Sequence, residues 1–366
     1  MSRPTRCIVS TAALRHNLEV ARRHAPGAGV WAVVKADAYG HGIDAALSGF
    51  DAADGWALLE WDKAIEIRAR DPARPILMLE GCFCASDVAR AARYRLDIVV
   101  HEETQIDWIA RTSPSECAGL RVWLKRNSGM NRLGFDPGAF EAARERLQTL
   151  EPVENLSFLT HFANADRAGA ERTSVAEFAA ATPGANSIRS AANSAAVLSM
   201  PDASFDWIRP GIMLYGASPF GDRSAASLGL LPAMRLESTL IAVRTIAAGA
   251  CVGYGSTYVA PRPMRIGVVA CGYADGYPRH APNGTPVLVD GSPSMIAGRV
   301  SMDMLTVDLD RVPTARIGSR VELWGDHIPV DTVAGHAGTI GYELLCAISS
   351  RVPRTTVDSV LLEAET

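Results

Sequence analysis

Eight short apolar runs, each bounded by turn residues, fill the first part of the chain. They are Val30–Lys35, Trp56–Leu59, Pro75–Leu79, Asp97–Val100, Leu120–Lys125, Leu156–His161, Ser187–Ser190 and Asp206–Arg209. Stretches rich in Ala, Arg, Glu and Leu separate them, such as His41–Ala53, Asp87–Arg95 and Pro137–Leu150, and Ala12–His24 precedes the first run. Short apolar runs between turn signals read as buried strands, and the intervening segments read as helices. Eight strands alternating with helices predict an α/β architecture, an N-terminal (β/α)8 TIM-like barrel. An open doubly wound sheet is the alternative, but no GxGxxG follows the first run.

After about Ser227 the texture changes. The turn pairs Asn283-Gly284 and Asp290-Gly291 are flanked by Pro286–Val289 and Ser294–Ile296, a hairpin pattern. Arg235–Ile246, Met264–Cys271, Met304–Asp308 and Arg320–Trp324 read as further strands, and only Asp331–Ala337 and Tyr342–Ile348 read as helices. The expected organisation is a barrel over residues 1–228 followed by a mostly β domain over residues 229–366. Acidic residues (40) slightly outnumber basic ones (36), so no overall basic field points to nucleic acid or anionic lipid. The N-terminus, Met1–Arg6, is polar, and the longest uncharged stretch, Thr245–Pro261, contains three glycines. Neither resembles a signal peptide or a membrane span. The seven cysteines form no CxxC pair, so no disulfide framework and no metal knuckle is implied. The expectation is a cytoplasmic protein.

Of the 36 basic residues only three are lysines: Lys35, Lys63 and Lys125. Where arginine dominates this far, a remaining lysine marks places that need an amine able to lose its proton, which guanidinium cannot do. Lys63 follows Glu60-Trp61-Asp62 in a charged stretch and reads as surface. Lys35 and Lys125 each end an apolar run. Catalytic groups of a barrel come from the C-terminal ends of its strands, and those ends carry Lys35, Glu60, Lys125, His161, Asn193 and Arg209. A lysine closing Val30–Val34 either snorkels to solvent or is a desolvated amine able to attack a carbonyl.

The segment Ala32–Gly42 (AVVKADAYGHG) closely resembles the pyridoxal-phosphate attachment motif of alanine racemases. Further segments resemble that family's motifs in family order: SGMNRLG at 128–134, THFA at 160–163, ANS at 192–194, RPGIMLYG at 209–216 and GYG at 253–255. The series continues with GYADGY at 272–277, GRVSMD at 298–303 and TIGYE at 339–343. The resemblance spans nearly the whole chain and agrees with a barrel followed by a β domain.

The resemblance implies a cofactor, pyridoxal 5'-phosphate, linked covalently to Lys35, which is also one of two catalytic bases. The second base is Tyr254. A phenol has a reference pKa near 10, so it needs help at neutrality, and His161 and Arg209 are placed to give it. In the family an arginine, here Arg209, faces the pyridine nitrogen. It donates rather than accepts, which should weaken the ring as an electron sink and discourage transamination. The phosphate falls to the main-chain N–H groups of Gly211 and Ile212 and to the hydroxyls of Tyr39, Ser194 and Tyr342. Arg132 is implied to grip the substrate carboxylate, and Lys125 matches a lysine that some members carry as a carbamate. Met302 and Tyr273 complete the substrate site. In the family Tyr254, Tyr273 and Met302 reach the other subunit's barrel, so a homodimer with shared sites is implied. The implied activity is interconversion of L- and D-alanine, for peptidoglycan supply or alanine catabolism. A racemase of broader specificity, or a decarboxylase of the same fold, is the alternative.

Overall fold

The computed structural model describes residues 3–184 and 187–361. Met1 and Ser2, the start of the polar N-terminus, lie outside the described residues. After β1 (Arg6–Ser10) come eight parallel strands: β2 (Gly29–Val33), β3 (Gly55–Leu58), β4 (Ile76–Met78), β5 (Asp97–Val100), β6 (Leu120–Lys125), β7 (Val153–Leu159), β8 (Arg189–Ser190) and β9 (Trp207–Ile208). Each pairs with the next, and β2 pairs with β9 through Gly29 opposite Trp207 and Val30 opposite Ile208, which closes the barrel. All eight expected runs are therefore strands of one closed sheet, with α-helices between most of them. Parallel strands buried on both faces need continuous apolar sequence. β3, β4 and β5 are buried at every position.

The barrel's interior is stoppered by tryptophans. Trp31 stacks on Trp207 at 4.4 Å and meets Trp123 edge-on at 6.0 Å. Gly55 on the neighbouring strand leaves the room for this, because a Cβ there would lie 2.5 Å from the Trp31 ring. Burying a large aromatic side chain contributes on the order of 1.5–3 kcal/mol, so this layer anchors the end of the barrel opposite the strands' C-termini.

Several strand ends differ from expectation. β2 stops at Val33, and Lys35 opens a tight turn instead of ending the strand. The helix expected over 41–53 is only Ile43–Gly49, because that turn takes up the residues before it. β1 was not expected at all. It pairs antiparallel with β10 (Met234–Ile246) and parallel with Arg354–Val357. The chain thus begins in the sheet of the second domain. It then crosses to the barrel through the helix Thr11–His24, capped by Ser10 Oγ accepting from the Ala13 N–H at 3.0 Å.

The second domain is mostly β. β10 runs 13 residues and serves three neighbours: its first part pairs with β1 and with Arg320–Trp324, and its second with Met264–Val269, with a register shift between Leu240 and Ala242. Such a bulge bends a strand, and here it carries the sheet around the corner. Among the described residues no helix is long and apolar enough to cross a membrane.

Candidate active site

A cavity of about 880 Å³ opens at the C-terminal mouth of the barrel. Lys35, Tyr39, Lys125, Arg132, His161, Ser194, Arg209, Gly211, Ile212 and Tyr342 all line it. With Asn193, eleven of the residues singled out in the sequence thus meet in one place, while Glu60 does not line it. Tyr342 arrives from the second domain, on the helix Gly341–Cys346. Tyr254, Tyr273 and Met302 are not among the lining residues and are 69, 39 and 52% exposed. They share one edge of the second domain. The Tyr273 N–H donates to Ser301 O and the Ala274 N–H to Met302 O, while the turn bearing Tyr254 packs on Gly298 and Arg299.

Lys35 and Tyr39 bracket a turn with an unusual backbone. Ala36, Asp37, Ala38 and Tyr39 all have φ between 52 and 55°. Left-handed helical conformation costs L-residues roughly 1–2 kcal/mol each, so something around the turn must hold it. Its own N–H groups close helix-like bonds, Ala38 to Val34 O at 2.9 Å and Gly40 to Ala36 O at 3.0 Å. Glu60 Oε1 accepts from the Ala36 N–H at 2.9 Å. From the second domain, Arg354 Nε donates to Gly40 O at 2.8 Å. His41 is buried beneath it. The result is that Lys35 and Tyr39, four residues apart, both reach the cavity.

Tyr39 stacks on Tyr215 at 4.7 Å, and the Tyr215 hydroxyl donates to Val33 O at 2.8 Å. Opposite it, the Gly211 N–H donates to Ser194 Oγ at 2.9 Å. Ser194 opens a short helix capped by Asn193, whose Oδ1 accepts from the Ala196 N–H at 3.1 Å. One end of the cavity is therefore a cluster of hydroxyls and main-chain donors.

Arg209 is buried, and its guanidinium is fixed by three acceptors. Nη1 donates to Ser190 Oγ at 2.5 Å, and Nη2 to Thr160 O at 2.5 Å and Ala191 O at 3.1 Å. Nε has no protein acceptor among the described residues. Burial lowers its pKa to about 10, so it remains a cation at neutral pH. Burial first, then the charges of Arg209 and Arg132, bring the Lys125 amine down to about 8. Burial and the same cations push His161 down to about 3, which leaves it neutral. Four cations, Lys35, Lys125, Arg132 and Arg209, thus line a cavity whose carboxylates are Glu80 and Glu102. Such a site favours anions.

The opposite wall was not apparent in the sequence. His101 Nε2 bonds Glu80 O at 3.0 Å, and the buried Gln105 donates to Glu80 O and Cys82 O at 3.2 and 3.0 Å. These bonds hold the loop after β4 against the cavity. Away from it, Glu322, Asp326 and His327 bring ligand atoms within 4.8 Å of one another. Arg235 Nε donates to Asp326 Oδ2 there at 2.8 Å, so a guanidinium already neutralises that group.

Residues 9–219 match the alanine racemase N-terminal domain, and residues 233–356 match the alanine racemase C-terminal domain. The chain belongs to the alanine racemase family. Alanine racemase of Burkholderia mallei is 52% identical over 355 residues, covering 96% of this chain and 99% of that protein. The biosynthetic alanine racemase of Pseudomonas aeruginosa superposes with a TM-score of 0.93 at 49% identity, covering 97% of this chain and 99% of that one. The alanine racemase of Bartonella henselae, solved with covalently bound pyridoxal phosphate, superposes with a TM-score of 0.86 at 27% identity, covering 97 and 99%. This alanine racemase family member is thus an isomerase by descent, with a barrel and a β domain in the family's order.

Proposed function

We propose that the chain interconverts L- and D-alanine with pyridoxal 5'-phosphate held on Lys35. It acts as a homodimer in which Tyr254, Tyr273 and Met302 of each subunit enter the partner's cavity. The observation that carries this reading is the meeting of Lys35, the fixed Arg209 guanidinium and the Gly211–Ser194 cluster in one anion-favouring cavity.

The residues fit that cofactor. The cavity lies within the range of sites that hold small molecules, about 300–1,000 Å³. Gly211 forms a cradle that a side chain would fill: a Cβ there would fall 2.3 Å from the Tyr39 hydroxyl oxygen. Main-chain N–H groups of Gly211 and Ile212, with the hydroxyls of Tyr39, Ser194 and Tyr342, would take the phosphate. Arg209 would donate from Nε to the ring nitrogen, and among the described residues its own hydrogen-bond partners are a hydroxyl and two carbonyls, not a carboxylate.

When bound, pyridoxal phosphate supplies an electron-withdrawing ring joined to the substrate nitrogen, which acidifies the substrate's Cα–H. Arg132 binds the substrate carboxylate through its planar fork of donors. Racemisation takes the proton from one face and returns one to the other, so two bases are needed. Lys35 serves one face and the Tyr254 oxygen the other. Neutral His161, next to Arg209, is the donor placed to support the phenolate. Lys125, with its lowered pKa, adds CO₂ to give a carbamate anion and a proton, and that anion orients Arg132.

The test is formation of D-alanine from L-alanine, together with borohydride reduction and peptide mapping. The pyridoxyl label is expected on Lys35. A label on Lys63 or Lys125, or no turnover by the loaded protein, would overturn the reading.

A further inference from the structure

His41 lies at the end of the left-handed turn and only 1% exposed. Its Nδ1 sits 3.1 Å from Ala38 O and 2.9 Å from Tyr39 O. Two carbonyl oxygens facing one ring nitrogen require that nitrogen to carry the proton, because a lone pair there would repel both. The ring is therefore the Nδ1–H tautomer, and its Nε2 has no partner among the described residues. The ring also packs on Tyr215 at 4.7 Å, the same ring on which Tyr39 stacks. Ala38 and Tyr39 are the last two left-handed non-glycine residues before Gly40. Both residues are buried, and their carbonyls face the His41 ring.

We propose that His41 is a positioning residue whose Nδ1–H holds the left-handed turn in place and thereby sets Lys35 and Tyr39 toward the cofactor. The proposal rests on the reading that pyridoxal phosphate binds at Lys35. His41 itself touches neither cofactor nor substrate. Its contribution is the donor to Tyr39 O, which receives no main-chain N–H among the described residues, whereas Ala38 O also accepts from the His41 main-chain N–H at 3.1 Å. Without that donor, the turn relaxes toward ordinary right-handed or extended backbone, and both side chains lose their aim.

The chemistry of the side chain supplies the test. The Asn side-chain amide nitrogen lies at the same reach as Nδ1, the Gln amide nitrogen lies further out at the reach of Nε2, and Phe fills the space without any donor. The full-length His41→Asn, His41→Gln and His41→Phe proteins are stripped of cofactor. Amide exchange across residues 36–42 is then measured, and each protein is titrated with pyridoxal phosphate. His41→Asn is expected to keep exchange protection in the turn and to bind within about threefold of the parent. His41→Gln and His41→Phe are expected to lose protection there and to bind about tenfold more weakly, the range of one lost hydrogen bond. Equal protection and equal affinity in all three variants would overturn the proposal. If His41→Phe does not fold, the Asn and Gln pair decides. Failure of the parent itself to bind pyridoxal phosphate would overturn the cofactor reading instead, while the exchange data would still report on the turn.

Discussion

An alanine Cβ at position 211 would lie 2.3 Å from the hydroxyl oxygen of Tyr39 and 3.0 Å from its Cζ. Tyr39 cannot retreat freely, because its ring is stacked on Tyr215. The backbone after β9 and the turn after β2 are thus fitted against each other across the cavity, and absence of a side chain is what allows it. Gly211→Ala is expected to fold with a loss of about 1–3 kcal/mol, the usual range for overpacking. It should bind pyridoxal phosphate about tenfold more weakly. Thermal melting and cofactor titration measure the two effects, and affinity equal to the parent's would remove the Gly211–Tyr39 fit from the phosphate site.

Tyr254 is largely exposed, so Tyr254→Phe removes an ionisable oxygen with little effect on folding. Loss of a positioned general base typically lowers rate about 10²–10⁴-fold. If Lys35 and Tyr254 serve opposite faces, the damage falls unequally. The variant should barely exchange the α-proton of L-alanine with deuterated solvent, while exchange of D-alanine through Lys35 persists. Proton NMR reads both. Equal loss from both enantiomers would count against two bases.

The same variant tests the shared site. Mixing Tyr254→Phe with Lys35→Ala should give heterodimers that regain one intact site if Tyr254 crosses to its partner. Activity restored after subunit exchange supports the crossing. No recovery in heterodimers verified by mass would place Tyr254 in its own subunit's site.

With the Lys125 pKa near 8, about a tenth of the amine is uncharged at pH 7, and an uncharged amine is the form that reacts with CO₂. Protein equilibrated with ¹³C-bicarbonate is expected to show one carbamate carbon resonance by NMR. Lys125→Arg should abolish it and raise the KM for alanine about tenfold, as Arg132 loses a charged acceptor. No such resonance in the parent would exclude the modification.

His41 also predicts a pH dependence of stability. Burial brings it down to about 4 from 6.5, and the nearby Arg354 charge acts in the same direction. The folded value lies below the unfolded one, so the unfolded chain takes up the proton first. His41 contributes no pH dependence above 6.5 and lowers stability as pH falls from 6.5 toward 4, by about 1.4 kcal/mol per pH unit. Urea unfolding at fixed protein concentration should therefore show a shallower decline in His41→Asn than in the parent across that window. Parallel curves would mean that His41 titrates normally.

Much of the fold was legible because its strands are local signals. β5 and β6 occur at the expected residues, Asp97–Val100 and Leu120–Lys125, since each is an apolar run with a turn on either side. Lys35 and Lys125 stood out because only three lysines occur in the chain, and both line the cavity.

What the sequence by itself determined was the alternation of strands and helices, hence the barrel, and the set of groups at its strand ends. Each of these depends on residues close together in the chain. Tertiary structure alone decided three other things. β1 pairs with Arg354–Val357 although Cys7 and Arg354 are at opposite ends of the chain, and no local pattern reports a partner that distant. The run Ala36–Tyr39 is left-handed against the intrinsic preference of L-residues, and beside its own helix-like bonds it is held by His41 and, from far along the chain, by Glu60 and Arg354. The cavity's far wall depends on Gln105 bonding to Glu80 O and Cys82 O across a gap of more than twenty residues. In the first and third, and through Glu60 and Arg354 in the second, long-range hydrogen bonds carry the free energy, and these exist only once folding has brought the distant segments together.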